Sequence, residues 1–258
     1  MKNKIIISLI ALALLLSLPT GIFASTDSVS WYIKKSGHSR PQLPTEHKII
    51  EKYNGFYIDN SLSESSSEKK IYLTFDAGYE NGNVEKILDV LNEKKVPGAF
   101  FLLDHIIIKN TDLVKRMVNE GHTVCNHTKN HADISGFSKE KIQENLSDLE
   151  TIYTQKTGLE MSKYFRFPEG KYSESSLKYV SELGYKTVFW SFGYPDWDNK
   201  KQPDPQKSIK KILDNTHNGE VILLHPTSDT NAKILPTLID KWREMGYSFG
   251  TLDELCAK

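Results

Sequence analysis

The chain has 258 residues, 38% hydrophobic and 26% charged, as in a soluble globular protein with room for one α/β domain of ordinary size. Its 33 Lys and Arg balance 33 Asp and Glu, giving a formal net charge of +0. The basic residues are spread rather than blocked, which excludes a global attraction to nucleic acid or to an anionic membrane.

At the N-terminus, Lys2 and Lys4 precede an apolar run over residues 5–18, followed by Pro19, Thr20 and Gly21. This pattern predicts a secretory signal peptide over residues 1–24, with Ala24 the last residue before cleavage. The run is short for a membrane span, and no Cys lies just after Ala24 to carry a lipid. The expected location is therefore outside the cell, at the cell wall, with an N-terminal anchor as the alternative where cleavage fails. Export would permit a disulfide. Cys125 and Cys256 are nevertheless expected to be free, buried thiols.

Residues 25–68 are polar and irregular. The Ser-rich stretch 61–68 reads as a surface loop. Trp31, Tyr32, Phe56 and Tyr57 suggest that this arm packs on the domain instead of floating free.

From residue 69 to residue 258 strand-like and helical patterns alternate. The strand-like runs are 71–75, 98–103, 122–125, 164–167, 187–191, 221–224 and 247–251. Apolar faces at helical spacing lie between them, for example Ile142, Leu146, Leu149 and Tyr153 behind Ser138 as N-cap. Gly121, Gly184, Gly219 and Gly246 each end a helical stretch just before a strand, the left-handed cap position. Such alternation implies right-handed βα units and a parallel sheet. Periodicity does not choose between an open sheet and an irregular barrel.

Polar residues gather where these strands end. The first buried run stops at Asp76, followed by Ala77 and Gly78. The third leads to His127 and His131, the fourth to Arg166 and then Pro168, Glu169 and Gly170. The fifth leads to Asp196 and Trp197, and the sixth stops at His225. In a parallel α/β fold these ends share one rim. Each residue alone has an ordinary reading: Asp76 as a turn residue, His225 as a hydrogen-bonded core His, Arg166 as a surface group, Trp197 as core. Five strand ends delivering two acids, one Arg and three His to one face are hard to obtain by chance. His127 and His131, at i, i+4, are expected on one side of a helical turn, where two imidazoles can bind one divalent ion, although this spacing alone is a weak signal. His105 and His122 read as bystanders.

Five motifs occur in order: Thr74-Phe-Asp-Ala-Gly78, His127-Thr-Lys-Asn-His131, Arg166-Phe-Pro-Glu-Gly170, Asp196-Trp197 and Leu223-Leu-His225. In these the chain resembles the polysaccharide deacetylases with a NodB homology domain, carbohydrate esterase family 4, over about residues 69–252. The resemblance implies an α/β fold, a distorted (β/α) barrel of about seven parallel strands, and hydrolysis of N-acetyl groups on sugars. Residues 75–82, Phe189-Trp-Ser191 and Asn231-Ala232, together with the aromatic arm, are similar to the delta-lactam-biosynthetic branch. That branch acts on muramic acid in spore cortex peptidoglycan.

The resemblance also implies roles. Asp76 would be the base that takes a proton from water, and Arg166 would orient it. His225 would be the acid that protonates the leaving amine, with Asp196 keeping it charged. Trp197 and Leu223 would wall the acetyl methyl, and the Glu169 backbone N–H would meet the oxyanion. His127 and His131 would hold a divalent metal, Zn²⁺ as first choice. Most of the family carries a second Asp where this chain has Ala77, so binding with two imidazoles is expected to be weak. The implied partners are peptidoglycan glycan strands, with no nucleic acid, and the chain is expected to be a monomer. The competing readings are a chitooligosaccharide or peptidoglycan N-acetylglucosamine deacetylase, and a glycan-binding module that has lost catalysis. The retained Asp76, Arg166, Asp196 and His225 argue against the last.

Overall fold

A computed structural model describes residues 25 and 27–257, so the expected signal segment lies outside the described residues. The arm contributes β1 (Val29–Ser30), α1 (Ile49–Lys52) and β2 (Gly55–Phe56). Strands and helices then alternate: β3 (Lys70–Ala77), α2 (Val84–Lys94), β4 (Ala99–Leu102), α3 (Asp104–Lys109), α4 (Thr111–Asn119), β5 (Thr123–Asn126) and α5 (Lys139–Thr157). They continue with β6 (Tyr164–Phe165), β7 (Lys171–Tyr172), α6 (Glu174–Glu182), β8 (Lys186–Val188) and β9 (Phe192–Gly193). The last elements are α7 (Pro205–Leu213), β10 (Glu220–Leu224), α8 (Asp229–Glu244), β11 (Ser248–Phe249) and α9 (Leu252–Leu255).

Each of the expected strand runs forms. One sheet holds them in the order β2-β8-β6-β5-β4-β3-β10-β9, with β11 beside β3, and its pairings are parallel. The sheet curls on itself. Ile58, just beyond β2, bridges Glu220 at the start of β10, and the Asp59 N–H donates to the Gly219 carbonyl at 2.9 Å. The arm thus supplies the strand that brings the two ends of an irregular barrel together.

Alternation along β3 divides the apolar residues. Ile71, Leu73, Phe75 and Ala77 face a cluster with α2 and α8. Tyr72 points the other way, into a barrel interior with Phe101, Cys125, Val188 and Val221. Leu252 and Leu255 of α9 join that interior cluster and plug one end. Parallel strands deliver their C-terminal residues to the opposite end. Gly121, Gly184 and Gly246, each directly after a helix C-cap, have φ 85°, as that position requires. Gly219, also at positive φ (76°), was expected to end a helix but lies in the turn before β10, beyond the Asp214 C-cap of α7. A Cβ there would fall 2.9 Å from the Asp59 carbonyl oxygen. Ser138 caps α5 by accepting from the Lys141 N–H. Cys125 and Cys256 are free and buried.

The arm is bound through Trp31. Its indole stacks on Phe189 with centroids 4.4 Å apart and donates to the Trp190 carbonyl at 3.0 Å. Its N–H donates to the Gly170 carbonyl at 2.8 Å, and β1 pairs antiparallel with β7. Gly170 has φ +65°, and a Cβ there would fall 2.7 Å from the Trp31 Cβ, so close approach of the arm requires a glycine. Trp31→Ala is expected to cost about 3–5 kcal/mol in urea unfolding, as for a large buried aromatic. A loss under about 1 kcal/mol would mean that the arm is not anchored here.

Candidate active site

The centre of the open rim is Arg166, directly after β6 and fully buried. A buried guanidinium is tolerated only when its charge and donors are met. Nη1 donates to Asp76 Oδ1 at 2.8 Å. Nη2 donates to Thr74 Oγ1 at 2.9 Å and to the Phe189 carbonyl at 3.3 Å. Nε donates to the Val188 carbonyl at 2.8 Å. Thr74 passes its own proton to the Ile222 carbonyl at 2.6 Å. The Phe101 ring lies 4.1 Å beneath the guanidinium. Burial alone would push the Asp76 carboxyl up. The charge of Arg166, then those of His127 and His225, outweigh it and hold the carboxyl below its ordinary value.

His127 comes directly after β5 and is buried. Its Nδ1 lies 2.8 Å from the Arg166 carbonyl, which can only accept, so Nδ1 carries the proton. Nε2 is then a bare lone pair, buried with no hydrogen-bond partner, and it sits 3.5 Å from Asp76 Oδ2. Burial takes the imidazole down to about 4, so at neutral pH two acceptors face each other. A cation at that point resolves the conflict. His131 is exposed, and its ring centroid is 5.1 Å from that of His127. The two are not on a helical turn, contrary to the expectation from their spacing. They lie in a loop in which Thr128 has φ +67° and His131 φ +60°. Asn126 Oδ1 holds the bend by accepting the Thr128 N–H at 3.0 Å. These donors fit a divalent ion held by two imidazoles and otherwise by water. Among the described residues no set of three His, Cys, Asp or Glu is arranged for a metal. Ala77 is fully buried in the apolar cluster.

The other half of the rim is built around Asp196. Its Oδ1 lies 2.7 Å from His225 Nδ1, and Oδ2 accepts the His225 N–H at 2.9 Å and Asn231 Nδ2 at 2.6 Å. Tyr194 Oη donates to Asn231 Oδ1. Burial would lower the His225 pKa, but the hydrogen bond and charge of Asp196, with the charge of Asp76, raise it above its ordinary value. With Nδ1 committed to Asp196, His225 Nε2 is left to the rim.

Trp197 is 59% exposed and meets the His225 ring edge-on at 6.0 Å. Leu223 lies on β10 beside Gly193 of β9 and is nearly buried. Glu169 has φ +54°, and its side chain pairs with Lys171 at 2.7 Å, so its expected role rests on the main chain. His122 accepts the Gly98 N–H at 3.2 Å, away from the site. Three supporting residues, Thr74, Tyr194 and Asn231, were not expected from the sequence. Thr74 and Asn231 lay inside quoted motifs, but the polar contacts that define them join residues far apart in the chain.

Residues 63–188 match the family described as polysaccharide deacetylase. The chain is 37% identical over 231 residues to the peptidoglycan-N-acetylmuramic acid deacetylase PdaA of Bacillus subtilis, covering 89% of this chain and 86% of that one. The solved structure of Bacillus subtilis PdaA, described as a family 4 carbohydrate esterase, superposes with a TM-score of 0.84 at 36% identity, over 90% of this chain and 97% of that one. A peptidoglycan-N-acetylglucosamine deacetylase of Bacillus cereus is 32% identical over 199 residues, 74% of this chain and 89% of its own length.

Position 77 offers a test of the metal fit. Ala77→Asp buries a carboxylate beside apolar side chains, so the metal-free variant is expected to melt several degrees lower than the native chain. Zn²⁺ is then expected to raise the melting temperature of the variant more than that of the native protein. Equal shifts in a thermal melt with and without Zn²⁺ would show that residue 77 does not face the ion.

Proposed function

The chain belongs to the polysaccharide deacetylases of carbohydrate esterase family 4, and from that premise we propose that it removes N-acetyl groups from peptidoglycan, acting on N-acetylmuramic acid on the route to muramic delta-lactam in spore cortex. The observation that carries the reading is a depressed carboxylate and an elevated imidazole on one rim, each held by its own buried partner. Each feels the other's charge. Hydrolysis of an amide at neutral pH needs such a base and acid together.

Water adds to the acetyl carbon while Asp76 Oδ2 takes its proton, with Arg166 fixing the carboxylate through Oδ1. The Glu169 backbone N–H is assigned to the oxygen that becomes negative. The C–N bond then breaks as His225 Nε2 gives its proton to the departing amine, and Asp196 steadies the ring. Trp197 and Leu223 border the acetyl methyl. The products are acetate and a free amino sugar. His127 Nε2 and His131 would hold the divalent ion, Zn²⁺ as first choice, whose chemistry when bound is Lewis-acid activation of water and carbonyl. The apolar run before residue 19 supports export to the cell wall, and the neutral charge balance agrees with an uncharged or mixed glycan target rather than nucleic acid. We take the working unit to be a monomer. The similarity to an N-acetylglucosamine deacetylase supports a second reading, action on that sugar.

Asp76→Asn and His225→Ala are each expected to lower acetate release by about 10²–10⁴-fold. His225→Ala should leave thermal unfolding nearly unchanged, whereas Asp76→Asn should also melt lower because it removes the carboxylate paired with the buried Arg166. Near-normal turnover in either would remove that residue from the mechanism. The two shifts also set the pH profile. Asp76 stays ionised below the ordinary carboxylate range, and His225 stays protonated above about 6.5, so the active window lies between. Asp196→Asn removes what holds the His225 pKa up, so the alkaline limb of the profile is expected to move to lower pH. An unmoved alkaline limb would assign it to another group.

Substrate choice is read by mass spectrometry of digested glycan strands after incubation. Loss of acetyl from N-acetylmuramic acid in strands freed of stem peptide, with stem-bearing strands left largely intact, is the expected result. Loss chiefly from N-acetylglucosamine would replace this reading by the second one.

A further inference from the structure

Residues between 194 and 204 and one face of α7 border a half-open cleft of about 500 Å³, the size of a small-ligand site. It adjoins the proposed catalytic residues without including them. Trp197 is the shared wall, lining the cavity with its ring 6.0 Å from that of His225. The remaining walls include Tyr194, Lys201, Gln202, Lys207 and Lys211.

These walls are held in place. The Gln202 side-chain amide donates to the carbonyls of Asp196 and Asp198 at 3.3 and 3.0 Å. Its oxygen accepts from Ser228 Oγ at 2.6 Å and from the Thr230 N–H at 3.1 Å. Thr230 Oγ1 donates to the Pro203 carbonyl at 2.7 Å, and Asn199 donates to the Tyr79 hydroxyl across the rim. A shape fixed before binding spares the ligand the cost of ordering it.

The charges in the cavity are unevenly engaged. Asp198 and Asp204 also line it, each turning one oxygen to a backbone N–H, of Lys200 at 2.9 Å and Lys207 at 2.8 Å, so three ammonium groups face two carboxylates and the excess positive charge lies on the α7 wall. Lys201, Lys207 and Lys211 have no carboxylate partner among the described residues, whereas the neighbouring Lys210 pairs outward with Asp214 at 2.7 Å. Lys207 and Lys211 are one helical turn apart on α7, so their ammonium groups leave the same face. Lys35 stands close by; burial first, and then the charge of Lys211, depress its pKa.

We propose that this cavity is a second saccharide subsite for a sugar bearing a carboxylate, with Trp197 as the ring platform and Lys207 and Lys211 as the partners of the acid group. An exposed indole offers a sugar ring its apolar face, and two unpaired ammonium groups on one wall suit an anion. The proposal deepens the reading above and rests on it: muramic acid is the peptidoglycan sugar whose lactyl group supplies that carboxylate once the stem peptide is gone.

The test is calorimetric binding of stem-free glycan strands and of the same strands with their carboxylates amidated by carbodiimide. The native protein is expected to bind the carboxylate form about tenfold more tightly, with the preference shrinking as salt rises. The double variant Lys207→Ala, Lys211→Ala, checked for an unchanged melt, is expected to bind both strands alike, at the affinity of the amidated form. Undiminished discrimination in the variant would overturn the subsite. Digestion of the same strands keeps the two readings apart. Deacetylated muramic acid with lysine-independent discrimination removes the subsite alone. Lysine-dependent discrimination with acetyl lost only from N-acetylglucosamine keeps the subsite and removes the muramic acid substrate.

Discussion

The Arg166 guanidinium is the group on which the rim depends. Its donors reach Asp76 and Thr74 on β3 and the carbonyls of Val188 and Phe189 at and beyond the end of β8. Its face covers Phe101 on β4, and its own carbonyl fixes the ring of His127 after β5. A charge this deep is costly unless every donor is satisfied, and satisfying them requires these strands to end in register. The ionisation of Asp76 and the register of these strand ends therefore share one cause, while the main chain of the same residue sets the tautomer of His127. A shift of any one strand would leave a buried cation short of a partner.

Much of this was legible in the sequence because it depends on local pattern. The strands that carry the rim have four or more apolar or β-branched residues, or end in a conspicuous polar group, and three of the four expected glycine caps, Gly121, Gly184 and Gly246, stand where helices stop. What escaped is what only three dimensions create. β2, β9 and the β1–β7 pair are two residues long and have no period to detect. Closure of the barrel by Ile58 joins residues that are distant in the chain. The reading of His127 and His131 as a helical pair failed because i, i+4 spacing is also met by a tight loop. Here Asn126, at the end of β5, accepts the Thr128 N–H and diverts the chain before a helix begins.

Backbone strain is concentrated where the chemistry is. Of the five non-glycine residues with positive φ among the described residues, Thr128, His131 and Glu169 border the rim. Such settings cost of order 1–3 kcal/mol each and persist where surrounding contacts over-determine them. Those contacts are visible at Thr128, whose N–H is held by Asn126 and whose hydroxyl accepts the Ala132 N–H at 3.1 Å. The loop can then present His131 at a fixed distance from His127 without a helix to space them.

The division of labour between the two rim carboxylates comes from how their lone pairs are used. Asp196 is buried, and both of its oxygens are taken, Oδ1 by His225 Nδ1 and Oδ2 by the His225 N–H and Asn231. With both oxygens engaged and the carboxylate buried, Asp196 is placed to orient and charge its neighbour and not to meet a water on the rim. Asp76 is anchored through Oδ1 alone. Its Oδ2 faces only the bare His127 Nε2 at 3.5 Å, which has no proton to give. One oxygen thus fixes the geometry and the other stays free to react, and the same Arg166 charge that fixes it keeps it ionised. Both acids are ionisable groups at strand ends, and although motif resemblance names one the base and the other its supporter, composition and periodicity around them do not give the physical reason. The separation lies in Asn231 and Arg166, which arrive from other elements and fill one carboxylate while leaving the other half open.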